Sequence, residues 1–275
     1  MTEDLLRRIA DALDRIAPPP PVPVDPTATG AFVWDGRTLH AVAGFAPLPL
    51  ALLTGVDAQR DALLGNTRRH AAGHAAHDAL LWGARGSGKS ALVKAVVASV
   101  QAEGAPLVLV EAPSDTLATL PALFATLRDW TVPALVFLDD LAFEAAGSGG
   151  IDAVRTLRSL LDGGAQARPS HVRLYVTSNR RHIVSRDISE QESAINVRDV
   201  VDDRMALADR FGLSLGFHVC DQDTWLAMVR GYAGHLGLTF DEADALTFAA
   251  QRGSRSGRVA WHYAVELAGR EGKTM

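Results

Sequence analysis

Hydrophobic positions follow two alternating patterns between residues 79 and 177. Short runs of mostly apolar residues alternate with longer segments in which apolar side chains return every three or four positions. A short apolar run is typical of a strand buried on both faces of a sheet, and the longer spacing is typical of an amphipathic helix. This alternation predicts an α/β fold with a parallel sheet. The predicted strands cover residues 79–82, 107–110, 134–138 and 172–177, and the predicted helices cover residues 90–101, 120–130 and 153–161.

The two ends of the chain differ from this central region. Leu5, Ile9 and Leu13 recur at helical spacing, which predicts an amphipathic helix over about residues 3–16. The proline-rich residues 17–23 cannot continue that helix and are expected to form an extended spacer. From Asp221 onward the strand pattern stops, and apolar residues return at helical spacing to the end of the chain. We therefore expect a tethered N-terminal helix and a small helical C-terminal domain.

A glycine-rich loop joins the first predicted strand to the following helix. It reads Gly83-Ala84-Arg85-Gly86-Ser87-Gly88-Lys89-Ser90 and satisfies the pattern G-x-x-x-x-G-K-[ST]. The glycines let backbone N–H groups converge on phosphate oxygens at a helix N-terminus, where the helix dipole favours an anion. Lys89 is expected to reach the β- and γ-phosphates, and Ser90 to bind Mg²⁺. The sequence therefore predicts a site for ATP and Mg²⁺.

Carboxylates and an amide follow two later strands. The strand at 134–138 runs into Asp139 and Asp140, and the strand at 172–177 leads to Asn179. Asp139 is predicted to be the carboxylate on the metal side and Asp140 the base that orients the attacking water. Asp140 is one methylene shorter than the glutamate usual at such a site, and Glu144 is the alternative base. Asn179 is expected beside the γ-phosphate, because ligands of open α/β sheets bind outside the carboxyl ends of the strands.

The order of these motifs resembles that of AAA+ ATPases. The stretches GARGSGKS, LVFLDD, YVTSN, ADRFG and RSGRVA occur in that family's order, over about residues 50–270. More closely, LLWGARGSGKSALVKA, FLDDLAFE, LLDGGAQARP and YVTSNRRH resemble a bacterial family of AAA+ ATPases catalogued as domain of unknown function 815. The resemblance implies a P-loop ATPase core followed by a helical lid.

The resemblance also implies roles for residues that the spacing alone does not identify. Arg210 resembles the arginine finger that acts on a neighbouring subunit's nucleotide, with Arg204 as the alternative, and its segment is expected to follow the last core strand. This implies a homo-oligomer or a partner ATPase. Arg258 resembles the second-sensor arginine of the lid, with Arg255 as the alternative. The loop that packs against adenine is represented by Val56 and Asp57.

The expected organisation has four parts, and it leaves the partner open. The N-terminal helix is expected to recruit an unknown protein. The predicted output is a shape change driven by binding and hydrolysis of Mg-ATP. The alternative is a slow switch, adaptor or loader, and a small-molecule phosphotransferase is disfavoured because the C-terminal region is helical. The parts are residues 1–16 (amphipathic helix), 17–46 (proline-rich linker and short mixed region), 47–219 (P-loop ATPase domain) and 220–275 (helical lid).

Composition narrows the setting. With 48% hydrophobic and 21% charged residues, the chain has the composition of a globular protein. A net charge of −5 argues against a generally basic nucleic-acid binder. Arginine-rich clusters at 180–182 and 252–258 leave a local nucleic-acid contact open, but nucleotide phosphates or acids of a neighbouring subunit explain them equally well. The single cysteine, Cys220, and the lack of any apolar run long enough for a bilayer predict a cytoplasmic protein without a membrane partner.

Three histidines near a predicted helix at 59–76 have a spacing that suits a metal site. His70, His74 and His77 would lie on one helical face. No cysteine or glutamate completes a recognisable metal motif beside them. We therefore interpret them as surface histidines that share a face by chance.

Overall fold

The structure of the chain is a computed structural model that describes residues 2–16, 24–141, 156–161, 168–179 and 209–274. Seven strands form one sheet in the order β2-β1-β4-β5-β6-β3-β7, and only the β1–β2 pair is antiparallel. The predicted α/β class is confirmed. The strands are β1 (Ala31–Trp34), β2 (Leu39–Ala41), β3 (Ala79–Gly83), β4 (Val108–Ala112), β5 (Ala134–Leu138), β6 (Val172–Ser178) and β7 (Leu213–Phe217).

The central strands are buried on both faces. All five residues of β5 are buried, and alternate side chains enter two different cores. Val136 packs into one core with Phe124, whereas Leu135 packs into the other with Val96. Because both faces are covered by apolar groups, these strands read as continuous apolar runs in the sequence.

Helices cover the sheet and form a separate core after it. A further helical segment lies at 156–161. The last three helices pack around Trp225 and Tyr263, both fully buried, in a third hydrophobic core. We call these three helices the lid. The helices are α1 (Thr2–Ile16), α2 (Asp57–Ala71), α3 (Lys89–Ala102), α4 (Leu120–Leu127), α5 (Gln222–His235), α6 (Glu242–Gln251) and α7 (Gly257–Arg270), with short 3₁₀ helices at Leu50–Leu52 and Ser114–Thr119.

The order of the strands determines which loops meet. Strand β6 lies between β3 and β5 and is parallel to both. The carboxyl ends of parallel strands lie at the same edge of a sheet. The loops after β3, β5 and β6 are therefore neighbours at the carboxyl ends of the strands, although they lie far apart in the sequence.

The outer strands of the sheet, β1, β2 and β7, were not predicted from the sequence. Strands β1 and β2 come from the region predicted to be linker and mixed structure, and β1 pairs in parallel with β4. A domain boundary at residue 47 leaves these two strands out. Strand β7 was not predicted at all: it is only partly buried, and Gly216 interrupts its apolar pattern. Arg210 therefore precedes the last strand, and the expectation that its segment follows that strand is wrong.

Helix α2 is shorter than predicted, and this changes the interpretation of the histidines. It ends at Ala71, and Gly73 follows with a φ of 75°. His74 and His77 therefore lie beyond the helix, and the predicted common face does not exist. His70 is only 3% exposed, so it is not a surface residue. Its Nε2 donates to the carbonyl oxygen of Ala134 over 3.0 Å.

The N-terminal helix is described by the structure, but several other predicted residues lie outside the described ranges. The predicted N-terminal helix corresponds to α1, whose Leu5, Leu6 and Leu13 side chains are each more than half exposed. Glu144, Arg204 and the basic cluster at 180–182 lie outside the described residues. Within the described residues, no helix combines the length and apolar character needed to cross a bilayer.

Candidate functional site

The glycine loop, Gly83–Ser90, leaves β3 and enters α3 with a backbone that side chains would disturb. Gly83 has a φ of 131°, and a side chain there would overlap the carbonyl oxygen of Phe217 in the neighbouring strand. Gly88 precedes the first residue of α3 and has a φ of 94°. Such positive φ values strain residues that carry a Cβ atom. The loop therefore has the tight turn and close approach that its glycines predict.

Lys89 is a buried cation at the start of α3. Its side chain is directed into the loop, and the residue is only 4% exposed. Its Nζ donates to the carbonyl oxygens of Gly83 and Ala84 at 3.1 and 2.8 Å and to Oδ1 of Asn179 at 3.0 Å. Burial lowers the pKa of Lys89, while the carboxylates of Asp140 and Asp139 oppose that change. The positive charge is thus placed between the glycine loop and the ends of β5 and β6.

The carboxylate of Asp139 connects all three strand ends. Its Oδ1 accepts a hydrogen bond of 2.6 Å from Ser90 Oγ, which follows β3. It accepts a second, also of 2.6 Å, from Thr177 Oγ1 on β6. The serine hydroxyl and the carboxylate are hard oxygen ligands of the kind that Mg²⁺ prefers. These two groups fit the metal that the sequence predicts.

Asp140 and Asn179 form a second pair at this edge. The side-chain amide of Asn179 donates to Oδ1 of Asp140 while its carbonyl oxygen accepts from Lys89. Asp140 has a φ of 52°, and it is the one non-glycine residue in the left-handed region among those described. The backbone there directs an exposed carboxylate toward the end of β6 rather than along the path of β5. The structure therefore brings together the two residues predicted to orient water.

A cavity of about 290 Å³ lies between this edge of the sheet and the lid. The sheet contributes polar side chains, and the lid contributes two aromatic residues, Tyr232 and Trp261, together with Arg258. A pocket with apolar walls and a few convergent polar groups is the usual form of a small-molecule site. The predicted residues that line it are Arg85, Gly86, Gly88, Lys89, Ser90, Asp139, Asp140, Asn179 and Arg258.

A second cavity, of about 250 Å³, adjoins the other side of the glycine loop. Val56 and Ala84 line it from the sheet domain, and Thr224 and Met228 line it from the lid. Polar side chains line it as well, so its walls combine apolar and polar groups. Asp57 does not line this cavity, and its carboxylate pairs with Arg60 at 2.6 Å.

The lid is in contact with the glycine loop through the start of α7. Ser256 caps that helix by accepting a hydrogen bond from the backbone N–H of Val259, and its carbonyl oxygen accepts one from the indole of Trp225. A Cβ atom added at Gly86 would lie 3.1 Å from Ser256 Oγ. The helix that carries Arg258 is therefore fixed within the lid and packed against the loop. Movement of the loop or of the lid must change this contact.

The predicted arginines have different positions. Arg258 is exposed, lines the 290 Å³ cavity, and lowers the pKa of Lys89 by its charge. Arg255 lines the 250 Å³ cavity instead. Arg210 is half-buried just before β7 and lines neither of these cavities. The structure thus places Arg258, and not Arg210, beside the site of its own chain.

The described residues contain no cluster of side chains that could bind a metal ion by themselves. No three His, Cys, Asp or Glu side chains among them are arranged to hold an ion. His70 donates to a backbone carbonyl, and the ring of His77 lies against Gly212. These two histidines therefore contact the protein itself.

Sequence reasoning missed two groups of residues at the site. Thr177 contacts Asp139 and Asp140 from β6, and Tyr232 and Trp261 complete the cavity from the lid. A hydroxyl residue two positions before the predicted Asn179 was a usable signal for Thr177. The aromatic residues had no such signal, because their spacing only indicates a helix that buries one face.

Comparisons with known proteins identify the fold. A family profile described as Protein of unknown function (DUF815) matches residues 27–271. The structure resembles the Holliday junction branch migration motor RuvB of Thermotoga maritima, with a TM-score of 0.51 and 14% identity over 83% of this chain and 68% of that one. It also resembles the Aeropyrum pernix ORC1 protein, solved with DNA, with a TM-score of 0.55 and 16% identity over 84% of this chain and 66% of that one. At such identities the likeness shows the AAA+ P-loop fold alone. A search of curated sequences found no match.

Proposed function

Because the chain belongs to the family described as Protein of unknown function (DUF815) and has the AAA+ P-loop fold, we propose that it binds ATP with Mg²⁺ and hydrolyses the β–γ phosphoanhydride. One observation carries the proposal. Lys89, Asp139 and Asn179 follow or end three different strands, yet their side chains line one cavity between the sheet and the lid. That convergence matches the chemistry of a nucleoside triphosphate and its metal ion.

Binding depends on the glycine loop and the two cavities. The N-terminus of α3 supplies backbone N–H groups and the positive end of a helix dipole for the phosphates. Lys89 neutralises the β- and γ-phosphates by exchanging its loop carbonyl acceptors for phosphate oxygens. The apolar walls at Val56 and Met228 accept the base. The phosphates and the base thus lie on opposite sides of the loop, in adjacent cavities.

Hydrolysis requires a water molecule in line with the bond that breaks. Asn179 donates to Asp140 and accepts from Lys89, so it holds the base and the phosphate-binding cation in a fixed relation. We assign to Asp140 the role of accepting a proton from the attacking water. Asp140 and Asn179 together orient that water. Ser90 and Asp139 would hold a Mg²⁺ ion, which would neutralise the charge that develops on the phosphate oxygens.

Arginines couple the state of the nucleotide to the shape of the protein. Arg258 lies on α7, whose first turn contacts the glycine loop, so an interaction of its guanidinium with the γ-phosphate changes the position of the lid. Arg210 faces neither cavity of its own chain, and we assign it to the nucleotide of a neighbouring subunit. A planar guanidinium suits the charge spread over a transferring phosphoryl group. The output is a nucleotide-dependent movement of the lid, passed to a protein partner that α1 recruits.

One feature favours a slower alternative of a different kind. Asp140 is shorter than glutamate, and its carboxylate is engaged by Asn179. A base that is short and already hydrogen-bonded reaches an attacking water less easily. The alternative function is therefore a switch or adaptor that holds ATP, hydrolyses it slowly and recruits a partner while loaded.

The deciding experiment measures ATP binding and ATP turnover per subunit against protein concentration, with and without DNA. A motor with arginine action between subunits gains specific activity as it assembles, whereas a switch binds ATP tightly and turns over slowly at every concentration. Stimulation by DNA would identify nucleic acid as the partner. Absence of Mg²⁺-dependent ATP binding would show that the proposed function is wrong.

A further inference from the structure

Thr177 connects β6 to the turn that follows β5. It lies near the carboxyl end of β6 and is 1% exposed. Its hydroxyl donates to Oδ1 of Asp139 at 2.6 Å and accepts from the backbone N–H of Asp140 at 2.8 Å. Its carbonyl oxygen accepts from the N–H of Leu141 at 2.8 Å. One residue therefore holds three consecutive residues of the neighbouring loop.

The bond to Asp140 supports an unfavourable backbone conformation. Asp140 has a φ of 52°, a left-handed value that side-chain-bearing residues rarely adopt. Its N–H is satisfied by a hydroxyl that is buried away from competing water, where a hydrogen bond is stronger than at the surface. The direction of the Asp140 carboxylate follows from that backbone conformation, and so it depends on the Thr177 hydroxyl.

The bond to Asp139 fixes the plane of a carboxylate. Oδ1 of Asp139 accepts from Ser90 as well as from Thr177, each at 2.6 Å. Two donors on one oxygen determine the direction in which the second oxygen points. Ser90 lines the 290 Å³ cavity, whereas Thr177 does not. Thr177 therefore binds Asp139 from within the protein core and not from the cavity.

We propose that Thr177 is a positioning residue for the Mg²⁺ site, acting through the carboxylate of Asp139 and the backbone of Asp140. The inference rests on the proposed function, because it assumes that Asp139 serves a metal ion. Loss of a group that orients a metal ligand without touching the metal typically lowers metal affinity about 10- to 100-fold. The strand order makes this possible, since β6 lies between β3 and β5, the strands that precede Ser90 and Asp139.

The test compares Thr177→Val, which keeps the shape and removes the hydroxyl, with Thr177→Ser, which keeps the hydroxyl. The readouts are ATP affinity in EDTA, ATP affinity in Mg²⁺, and the Mg²⁺ concentration that gives half-maximal turnover. We expect Thr177→Val to bind ATP in EDTA like wild type, because Lys89 and the glycine loop are unchanged. Its gain in affinity on adding Mg²⁺ should fall about tenfold or more, the range for residues that orient metal ligands. Thr177→Ser should retain most of that gain.

Thr67→Val is the matched control for loss of a buried hydroxyl. Thr67 is fully buried, and its Oγ1 donates to the carbonyl oxygen of Leu63 and contacts the hydroxyl of Tyr175 on the same strand, β6, each at 2.8 Å. Thr67 lines neither cavity at the site. This variant should lower the unfolding temperature without changing the effect of Mg²⁺ on ATP affinity.

Three results would overturn the role of Thr177. These are a wild-type Mg²⁺ effect in Thr177→Val, an equal loss in Thr177→Ser, and an equal loss in Thr67→Val. If Thr177→Val does not fold, Thr177→Cys replaces it, since a thiol is a weak donor of similar size, and the same comparisons apply. A wild-type protein that binds no ATP would instead refute the proposed function itself.

Discussion

Lys89 places a positive charge where no solvent shell supports it. Its three hydrogen-bond acceptors are the carbonyl oxygens of Gly83 and Ala84 and the side chain of Asn179. All three acceptors are neutral, and the carboxylates of Asp139 and Asp140 act on the ammonium group without a hydrogen bond to it, so an anion in the cavity would compensate its charge more directly. This arrangement supports the proposed role of Lys89 in binding phosphate.

The first prediction concerns that lysine. Lys89→Ala should lower ATP affinity about a hundredfold or more, the equivalent of two charged hydrogen bonds, and should leave the protein folded. Nucleotide titration of the purified variant, with circular dichroism to verify folding, measures both. Lys94→Ala is the control, because Lys94 lies on the same helix and pairs with Glu111 at 2.8 Å away from the cavity. Wild-type affinity in Lys89→Ala would contradict the assignment of the phosphate site.

The second prediction separates the two candidate bases. Asp140→Asn should bind ATP normally and hydrolyse it about a hundredfold more slowly, the scale of a lost general base. Glu144→Gln is the comparison, and single-turnover hydrolysis at saturating ATP is the measurement. We expect Asp140 to be the more important because it contacts Asn179 directly. If Glu144→Gln proves the slower variant, the two roles must be exchanged.

At the scale of single elements, α2 is attached to the sheet through a buried histidine. Nε2 of His70 donates to the carbonyl oxygen of Ala134, the first residue of β5. The pKa of His70 is lowered to about 4, mainly by burial. The hydrogen bond to Ala134 and the carboxylate of Asp78 oppose this change, and the charges of Arg173 and His171 add to it. His70 is therefore neutral in the folded protein at neutral pH.

The third prediction is a pH dependence of stability. An unfolded histidine takes up a proton below about pH 6.5, whereas folded His70 does so only near pH 4, so the unfolded state binds more protons between these values. Stability should be fully present above pH 6.5 and fall as the pH decreases toward 4, with His70 responsible for about 2 kcal/mol between pH 7 and pH 5. Denaturant unfolding at both pH values measures it.

Two variants isolate the contribution of His70. His70→Gln removes the titrating group and should flatten the loss of stability between pH 7 and pH 5. His74→Gln removes an exposed histidine just beyond the same helix and should retain the wild-type loss. A full wild-type loss in His70→Gln would mean that another group governs the pH dependence.

At the scale of the whole molecule, the position of Arg210 bears on the proposed assembly of subunits. It lies just before β7, at the edge of the sheet, and it lines neither cavity of its own chain. Arg258, by contrast, lines the cavity from the lid. A single chain thus offers its own nucleotide one of the two arginines that the AAA+ resemblance implies. We therefore propose that Arg210 acts on the nucleotide of a neighbouring subunit.

The fourth prediction tests action between subunits. Arg210→Ala should leave ATP affinity nearly intact and lower turnover about 10³-fold, the range for arginine fingers. An Arg210→Ala subunit keeps its phosphate site, and an Asp140→Asn subunit keeps its arginine, so mixing the two should recover some activity. Each variant alone at the same total concentration is the control. Lack of recovery in a mixture shown by sizing to co-assemble would exclude the finger assignment and favour the slow switch.

The sequence alone determined the parts of this protein that depend on neighbours along the chain. The glycine loop is contiguous, so its residue pattern and its flanking strand and helix were visible together. Strands β3 to β6 were predicted because both of their faces are buried, which makes their residues continuously apolar. Asp139 and Asn179 were identified because each comes directly after such a strand.

Only the tertiary structure decided the features that depend on contacts between segments far apart in the sequence. Strand β7 is an edge strand and β2 is the strand at the opposite edge, and partial exposure left both without a clear apolar pattern. Strand β1 is mostly buried, but its four residues are too short a run to predict a strand in its place. The burial of His70, the separation of Asp57 from the cavity and the contacts of Thr177 likewise follow from packing between distant segments. A local pattern records which face of an element is buried, but not against what. The placement of β6 between β3 and β5 supplied that information, and with it the shape of the site.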